Sequence, residues 1–420
     1  MRGTGANRRP GRNAILAALV ALALVATACG GDDDTEAESD GEGGPPPSAE
    51  MPPGTPVRIG VLIDQSGPQS ATNTGVPAVL EAWMNHTNAN GGVDDRPVEL
   101  VMEDSRGDAP TANSAVQGFI DDESVDAMII FDPSTEAAVG ETVSEARLPV
   151  IGGVGYLPTV WGALPNWFGI TTTFPSVVNE QVLSAQAQDA DVLASAPCAE
   201  VPACAAAEPV FEGAVDALGL EYVGAVEVAG DAPNYTAECL EFIDRGAEFV
   251  QISANESVGA RLAADCVSQG YQGWFGASAG SVTPGLYNEV DRLTGGLNAF
   301  PWYVDDEPVQ NYRDVMDEQG VSEEEYGTPV STSGWATMEL FKKTIEANAD
   351  AVSEDLTRDE VITAYGTVKD ETLDGLLPNP ITFTSDQPAP PVHCFWLYTV
   401  EEGEISGDFE PTCPPDELSG

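Results

Sequence analysis

Short apolar runs alternate along the chain with longer segments whose apolar residues recur at helical spacing. Val57–Ile63, Val98–Met102 and Met128–Phe131 are too short for buried helices and rich in β-branched or other apolar residues, as strands of a parallel sheet are. Between the first two runs, Val79 and Trp83 belong to one apolar helical face. This alternation with short connections predicts an α/β fold built on doubly wound parallel sheets.

Polar or glycine-rich loops follow these strands. The carboxyl ends of parallel strands are where open α/β sheets bind small molecules. Ser134 follows Asp132-Pro133 and is predicted to cap a helix that runs to about Ala146. The next strand breaks at Gly152–Gly155, where a backbone without Cβ atoms can approach a ligand closely. The candidate ligand-binding residues of these loops are Gln65, Ser66, Ser134, Thr135, Gly153, Val154 and Tyr156.

Further apolar segments continue the alternation in the second half of the chain. The predicted strands are Asp191–Ala194, Tyr222–Val228, Phe249–Ser253 and Trp274–Gly276. Roughly 360 residues follow the N-terminal region, which is too many for one compact core and therefore predicts two domains.

The first 29 residues have the composition of an export signal rather than of a folded domain. Several arginines precede the apolar run Ala14–Ala28, which is too short to span a bilayer. Small residues then lead directly to Cys29, a pattern that resembles the bacterial lipoprotein signal and implies lipidation of Cys29. Residues 30–56 are acidic and then rich in Gly and Pro, which predicts a disordered tether.

The charge balance excludes some classes of partner. The chain of 420 residues has 16 Lys and Arg against 69 Asp and Glu, a formal net charge of −53. Such an acidic protein repels nucleic acid and anionic lipid headgroups. The predicted contact with the membrane is therefore through the lipid anchor only.

The cysteines favour disulfides over a metal site. Six of the seven remain once Cys29 is assigned to the lipid, and export makes disulfides the expected state. No CxxC motif is present and both histidines are distant from the cysteine pairs, so no metal ligand and no cofactor is predicted. Proximity along the chain favours Cys198–Cys204, Cys239–Cys266 and Cys394–Cys413 among the possible pairings.

Several short motifs occur in one order along the chain: RIGVLIDQSGP, NHTNANGGV, RPVELVMEDSRGDAPTA, DPST and LPVIGGV. Together they resemble the type I periplasmic-binding proteins, and most of all the leucine/isoleucine/valine-binding family that feeds ABC importers. The resemblance extends from Val57 to Cys413 and implies two α/β lobes joined by three crossing segments. Carried onto this sequence, the crossings fall near Ile170–Thr173, Leu297–Trp302 and Ile381–Thr384. Lobe one would contain residues 57–171 and 299–380, and lobe two would contain residues 172–298 and 381–420.

The resemblance also implies a binding site between the lobes. Ser134 and Thr135, together with the loop from Gly153 to Tyr156, match the positions that hold a ligand carboxylate with hydroxyl and N–H donors. In lobe two, the family has an acidic residue that pairs with the ammonium group of the ligand. Ser278 occupies or adjoins that position here, so the counter-charge that a buried ammonium needs is absent from it. The expected ligand is therefore a small polar molecule: an amino acid, an amide, a urea-like molecule or a carboxylate. Asn255 and Trp302 complete the candidate site.

Two alternative functions have some support in the sequence. The pentapeptide GASAG at Gly276–Gly280 matches the nucleophile elbow of serine hydrolases, with Ser278 as the nucleophile. An elbow requires a helix directly after the serine, whereas Ser281–Gly285 is typical of a loop. A ligand-sensing module for a membrane partner is the other alternative. The prediction is a protein without catalytic residues: a monomeric, extracytoplasmic, lipid-anchored binder that delivers its ligand to ABC importer permease subunits.

Overall fold

The computed structural model describes residues 51–67, 70–199, 207–254, 256–277, 282–415 and 418. The first sheet has four parallel strands in the order β2-β1-β3-β4. Ile63 at the end of β1 pairs with Asp104 of β2 and with Phe131 of β3, so the carboxyl ends of these strands meet at one edge. The strands are β1 (Val57–Ile63), β2 (Val98–Asp104), β3 (Ala127–Phe131) and β4 (Val150–Gly153).

Helices cover both faces of this sheet. β3 is buried along its whole length, with Ile129 and Phe131 in one hydrophobic cluster and Met128 and Ile130 in another. A strand buried on both faces is typical of a doubly wound parallel sheet, and the predicted fold class is confirmed here. The first four helices are α1 (Val76–Ala89), α2 (Ala109–Asp121), α3 (Glu136–Glu145) and the short α4 (Pro158–Trp161).

The second sheet has seven strands in the order β11-β10-β9-β8-β7-β5-β6. Strands β5 to β9 are parallel to their neighbours, whereas β10 and β11 add an antiparallel edge that the sequence did not predict. The strands are β5 (Val192–Pro197), β6 (Glu221–Ala225), β7 (Phe249–Ser253), β8 (Trp274–Ala277), β9 (Leu293–Leu297), β10 (Trp396–Glu401) and β11 (Glu404–Ser406). Its helices are α5 (Phe174–Ala187), α6 (Glu208–Ala217), α7 (Thr236–Asp244), α8 (Glu256–Ser268) and α9 (Pro284–Tyr287).

After β9 the chain returns to the first sheet before it forms β10. The segment that returns contains a long helix, and the hydroxyl of its Thr337 accepts a hydrogen bond from the backbone N–H of Gly153 at the end of β4. The molecule therefore has two lobes, one around each sheet, and the chain passes between them three times. The returning helices are α10 (Glu307–Gln319), α11 (Glu323–Tyr326), α12 (Pro329–Ala347) and α13 (Arg358–Tyr365).

The contacts of the segment after Ile381 bear on the third passage, which the resemblance places near Ile381–Thr384. Phe383 is buried against Phe168 and Tyr365 in lobe one, and Asp386 still contacts lobe one through Arg147. Val392 is bridged to Thr172 of the first passage. We therefore propose the third passage between Asp386 and Val392, because the apolar residues before it belong to the lobe-one core. The other lobe boundaries remain predictions from the resemblance.

Two of the three predicted disulfides are present among the described residues. Cys239–Cys266 joins α7 to α8 with the Cα atoms 4.8 Å apart, and Cys394–Cys413 fastens the C-terminal segment beside β10. Cys198 is also disulfide-bonded, but its predicted partner Cys204 lies outside the described residues.

Candidate functional site

An aspartate stands at the carboxyl end of each of the first three strands of lobe one. Asp104 is the last residue of β2, whereas Asp64 and Asp132 directly follow β1 and β3. Since these strands are neighbours in register, the three carboxylates lie along one edge of the sheet. Asp64 and Asp132 are fully buried.

The predicted donors of the first loop are directed to one of these aspartates. The backbone N–H of Gln65 donates to Asp104 Oδ1 over 2.9 Å, and the Ser66 hydroxyl donates to Asp104 Oδ2 over 2.6 Å. Burial is the largest single effect on the pKa of Asp104 and raises it, but the hydrogen bonds from Ser66, Gln65 and Arg106 together outweigh burial and lower the pKa. Gln65 and Ser66 are exposed, and Asp104 holds their loop as a turn.

Ser134 does not cap α3 as predicted. The N-cap is Thr135, and its hydroxyl donates to Asp132 Oδ2 over 2.7 Å instead of accepting from a helix N–H. The Ser134 hydroxyl donates to Asp132 Oδ1, as does the Ser134 backbone N–H over 3.1 Å. The cause is local. Both hydroxyls donate to the carboxylate of Asp132, a strong acceptor only two or three residues earlier in the chain, rather than accept from a helix N–H.

Glu136, in the first turn of α3, occupies the donors of the second predicted loop. Its Oε1 accepts from the backbone N–H groups of Tyr156 and Leu157 over 3.1 and 2.7 Å, and its Oε2 accepts from the Trp161 indole. Glu136 is fully buried. Burial raises the pKa of Glu136 to about 7, against the opposite effect of these three donors.

The glycine-rich end of β4 is closed by lobe one itself. Gly153 has a φ of +107°, and a Cβ there would lie 2.0 Å from the carbonyl oxygen of Ile130. The Gly153 N–H donates to Thr337 Oγ1 over 3.1 Å, and its carbonyl accepts from the Ser333 hydroxyl over 2.9 Å. The N–H of Val154, a buried residue, donates to Ile130 over 2.9 Å. The close approach of the Gly153 backbone to its neighbours is thus needed for packing within lobe one.

On lobe two, Asn255 and Ser278 lie outside the described residues. Lobe two also has a buried acidic residue that the sequence did not predict, Glu180 on α5. A Cβ on Gly296 of β9 would lie 2.5 Å from the Glu180 Cβ, so the helix packs directly against the strand at this point. Sequence reasoning missed Glu180 because it stands between the apolar residues of α5 without a motif.

Glu180 lies within electrostatic reach of tyrosines from both lobes. Burial raises the pKa of Tyr156 on lobe one, and the nearby charges of Glu180 and Glu136 raise it further. Burial and the charge of Glu180 likewise raise the pKa of Tyr398 on β10. The Tyr398 hydroxyl donates to the carbonyl of Ala277 over 3.4 Å. A Cβ on Gly295, next to Gly296, would lie 2.3 Å from the same Ala277 carbonyl, so Glu180 lies near the carboxyl end of β8.

Buried polar atoms without partners collect at the passages between the lobes. Within the described residues, both side-chain amide atoms of Asn298 and the Thr172 hydroxyl lack hydrogen-bond partners. The Trp302 indole nitrogen also lacks one, and its ring packs 5.9 Å from that of Tyr287 on lobe two. Buried polar groups are nearly always hydrogen-bonded, to protein or to ordered water, so each of these atoms needs a partner that the described residues do not provide.

The described residues contain neither a metal-binding cluster nor a membrane-spanning helix. Among them, no group of His, Cys, Asp and Glu side chains is arranged to hold a metal ion. None of the helices in the described ranges is both long enough and apolar enough to cross a bilayer.

Solved structures with this fold come from several organisms. A leucine binding protein from Thermotoga maritima is 16% identical, with a TM-score of 0.68 over 85% of this chain and 99% of that one. A fatty acid ABC transporter substrate-binding protein from Thermomonospora curvata is 17% identical, with a TM-score of 0.68 over 88% and 96%. A solute binding protein from R. palustris, in complex with 4-hydroxybenzoate, is 18% identical, with a TM-score of 0.67 over 86% and 98%. At these identities the likeness shows the type I periplasmic-binding fold.

No curated protein matches the sequence. A family model described as "Periplasmic binding protein" matches residues 56–404, which is most of the chain. Members of this family are binding proteins rather than enzymes, which removes the support for a hydrolase built on GASAG. The chain therefore belongs to the periplasmic binding protein family.

Proposed function

We propose that the protein is an extracytoplasmic substrate-binding lipoprotein of an ABC importer that captures a small polar ligand between its two lobes. The observation that carries the proposal is the closeness of Tyr156 from lobe one to α5 of lobe two. Its carbonyl accepts from the backbone N–H of Phe174, the first residue of α5, over 2.9 Å, and the same helix carries the buried Glu180. The unpaired amide of Asn298 on the second passage adds donors and acceptors that a ligand can use. Family membership supports ligand binding as the biochemical role.

Neither lobe alone surrounds this site, so binding requires the lobes to close around the three passages. A ligand stabilises the closed state only as far as it binds that state more tightly than the open one. Two of the proteins of similar fold are named for leucine and for fatty acid, and a third was solved in complex with 4-hydroxybenzoate; these ligands have different shapes. What they have in common supports a small molecule between the lobes and leaves its identity open.

The test is a thermal-shift screen of amino acids, amides, ureas and carboxylic acids, followed by X-ray scattering of each complex in solution. A ligand should raise the melting temperature and reduce the radius of gyration, because closure brings the lobes together. If no compound stabilises the protein and the radius of gyration never changes, the proposal of an interlobe binder is wrong.

The lipid anchor is a separate part of the proposal, because Cys29 lies outside the described residues. A lipidated Cys29 would hold the binding lobes at the outer face of the cell membrane beside the permease subunits. Cys29→Ser should leave the chain unprocessed or release it from the membrane. Membrane partitioning and processing equal to those of the unchanged protein would contradict lipidation at this residue.

A further inference from the structure

The hydrogen-bond donors at the polar edge of lobe one already donate to carboxylates of the same lobe. The hydroxyls of Ser134 and Thr135 donate to Asp132, and the N–H groups of Tyr156 and Leu157 donate to Glu136. These are the donors that a ligand carboxylate would need at this edge.

A second anion at this edge would face an unfavourable field. Among the described residues, neither Asp132 nor Glu136 forms an ion pair with a lysine or arginine. Like charges at short range in a poorly solvated site repel strongly, and burial disfavours each charge as well. A ligand that carries a carboxylate therefore meets repulsion and finds its donors already occupied.

The other side of the site also presents a carboxylate. Glu180 is fully buried, within electrostatic reach of Tyr156 across the cleft and of Tyr398 within its own lobe. The contact of Glu180 with Gly296 holds it at the level of the last residues of β9. The site is thus acidic on both lobes.

Asn298 is the independent sign that this acidic region accommodates a ligand. It is 1% exposed, and neither its amide nitrogen nor its amide oxygen has a partner among the described residues. Asn298 lies two residues beyond Gly296, just past the end of β9, and so within about 7 Å of the point where Glu180 packs against the strand. Its amide can both donate to and accept from a molecule held there.

Building on the proposed function, we propose that the interlobe site takes a small molecule with a cationic nitrogen and without a carboxylate: an amine, an amidine or a guanidine. Glu180 accepts from the charged nitrogen, and Asn298 supplies an uncharged hydrogen bond beside it. A buried cation needs such a counter-charge and such acceptors, which this cleft offers from both lobes.

Matched probes separate charge from shape. The isoamyl series is isoamylamine, 4-methylpentanamide, 4-methylpentanoate and leucine, and the benzyl series is benzylamine, phenylacetamide, phenylacetate and phenylalanine. Benzamidine and guanidine test the planar cations. Calorimetric titration and thermal shift of the full chain in detergent should show a cationic probe binding at least about tenfold more tightly than its amide and carboxylate counterparts.

Variants then assign the charge preference to one residue. Glu180→Gln keeps the shape of the side chain, and it should weaken binding of the cationic probe about tenfold or more while changing amide binding little. The matched control is Glu307→Gln on α10, an exposed carboxylate whose loss should alter neither. Circular dichroism checks that each variant is folded. If Glu180→Gln does not fold, Asn298→Asp adds a carboxylate at the same site and should strengthen binding of the cation.

The outcomes distinguish the inference from the proposed function. Tighter binding of a carboxylate or zwitterion, or no binding of any cationic probe, overturns the cationic-ligand inference. Either result leaves the interlobe binder standing if another compound closes the lobes in the scattering measurement. Equal loss of amine and amide binding in Glu180→Gln would assign Glu180 to structure rather than to charge recognition.

Discussion

The two sides of the cleft satisfy their polar groups in different ways. On lobe one, the hydroxyls of Ser134 and Thr135 are taken by Asp132, and the loop N–H groups of Tyr156 and Leu157 by Glu136. At the second passage, the buried amide of Asn298 has no partner among the described residues. The difference teaches that serine and threonine can stand where the resemblance implies ligand contacts and still donate their hydrogen bonds to a neighbouring carboxylate. Here the edge with the recognisable motif is satisfied internally, and the side without a motif retains binding capacity.

The largest expected effect comes from removing the carboxylate that satisfies the lobe-one loop. Glu136→Ala leaves the N–H groups of Tyr156 and Leu157 and the indole of Trp161 without their acceptor in a buried site. We expect a loss of about 3–5 kcal/mol in the free energy of unfolding, measured by urea denaturation. Glu136→Gln keeps one acceptor oxygen and should lose less. A loss below that of Glu136→Gln would mean that the loop finds its acceptors elsewhere.

The next effect is a pH dependence of stability. The folded-state pKa of Glu136, about 7, is above its ordinary value of 4.5, so the fold prefers the protonated carboxyl. The free energy of unfolding should therefore fall as pH rises from about 4.5 to about 7, by up to about 3 kcal/mol, and then level off. The measurement is urea denaturation across this range, with Glu136→Gln as the comparison.

The difference between the two stability profiles isolates this one group, because both proteins share the other titrating residues. The unchanged protein should lose stability relative to Glu136→Gln only within that pH window. Parallel profiles for the two proteins would show that Glu136 titrates near its ordinary pKa.

The sequence predicted most of the fold because periodicity is a local signal. The runs that became β1, β2 and β3 alternate with helical patterns that correspond to α1 and α2. The later position that we propose for the third passage rests on the contact of Phe383 with Phe168, which no local pattern shows. A pattern of residue types cannot show which core such a side chain joins.

The hydrogen bonds at the predicted site could not be derived from the sequence, because a motif does not fix the partner of each hydroxyl or N–H group. The segment DPSTE contains both the hydroxyls of Ser134 and Thr135 and the carboxylates that take up local donors. The prediction read the hydroxyls as ligand donors and left Asp132 and Glu136 out of account. No motif marks Glu180, which is one acidic residue within a helix. Only the structure shows that it is buried and that it packs against Gly296.

A change at the unsatisfied side should act in the opposite direction from those on lobe one. Asn298→Leu replaces a buried amide without partners by an apolar side chain of similar volume. We expect a gain of about 1–2 kcal/mol in the free energy of unfolding, together with weaker binding of any ligand that uses the amide. Urea denaturation and calorimetric titration measure the two effects separately. A loss of stability would show that the amide is satisfied in the folded protein.

The smallest effect is expected at the residue that the sequence made most prominent. Ser134 is exposed, and its hydroxyl only donates to Asp132, which also accepts from Thr135. Ser134→Ala should therefore cost about 0.5–1 kcal/mol of stability, as one partly solvated hydrogen bond does, and change ligand affinity by less than about threefold. Thr135→Val is the matched change at the buried hydroxyl and should cost more stability. The measurement is titration of both variants with the best ligand of the screen. A tenfold or greater loss of affinity in Ser134→Ala would mean that the hydroxyl leaves Asp132 for the ligand. Lobe one would then be a binding surface after all, and the contrast between the two sides of the cleft would not hold.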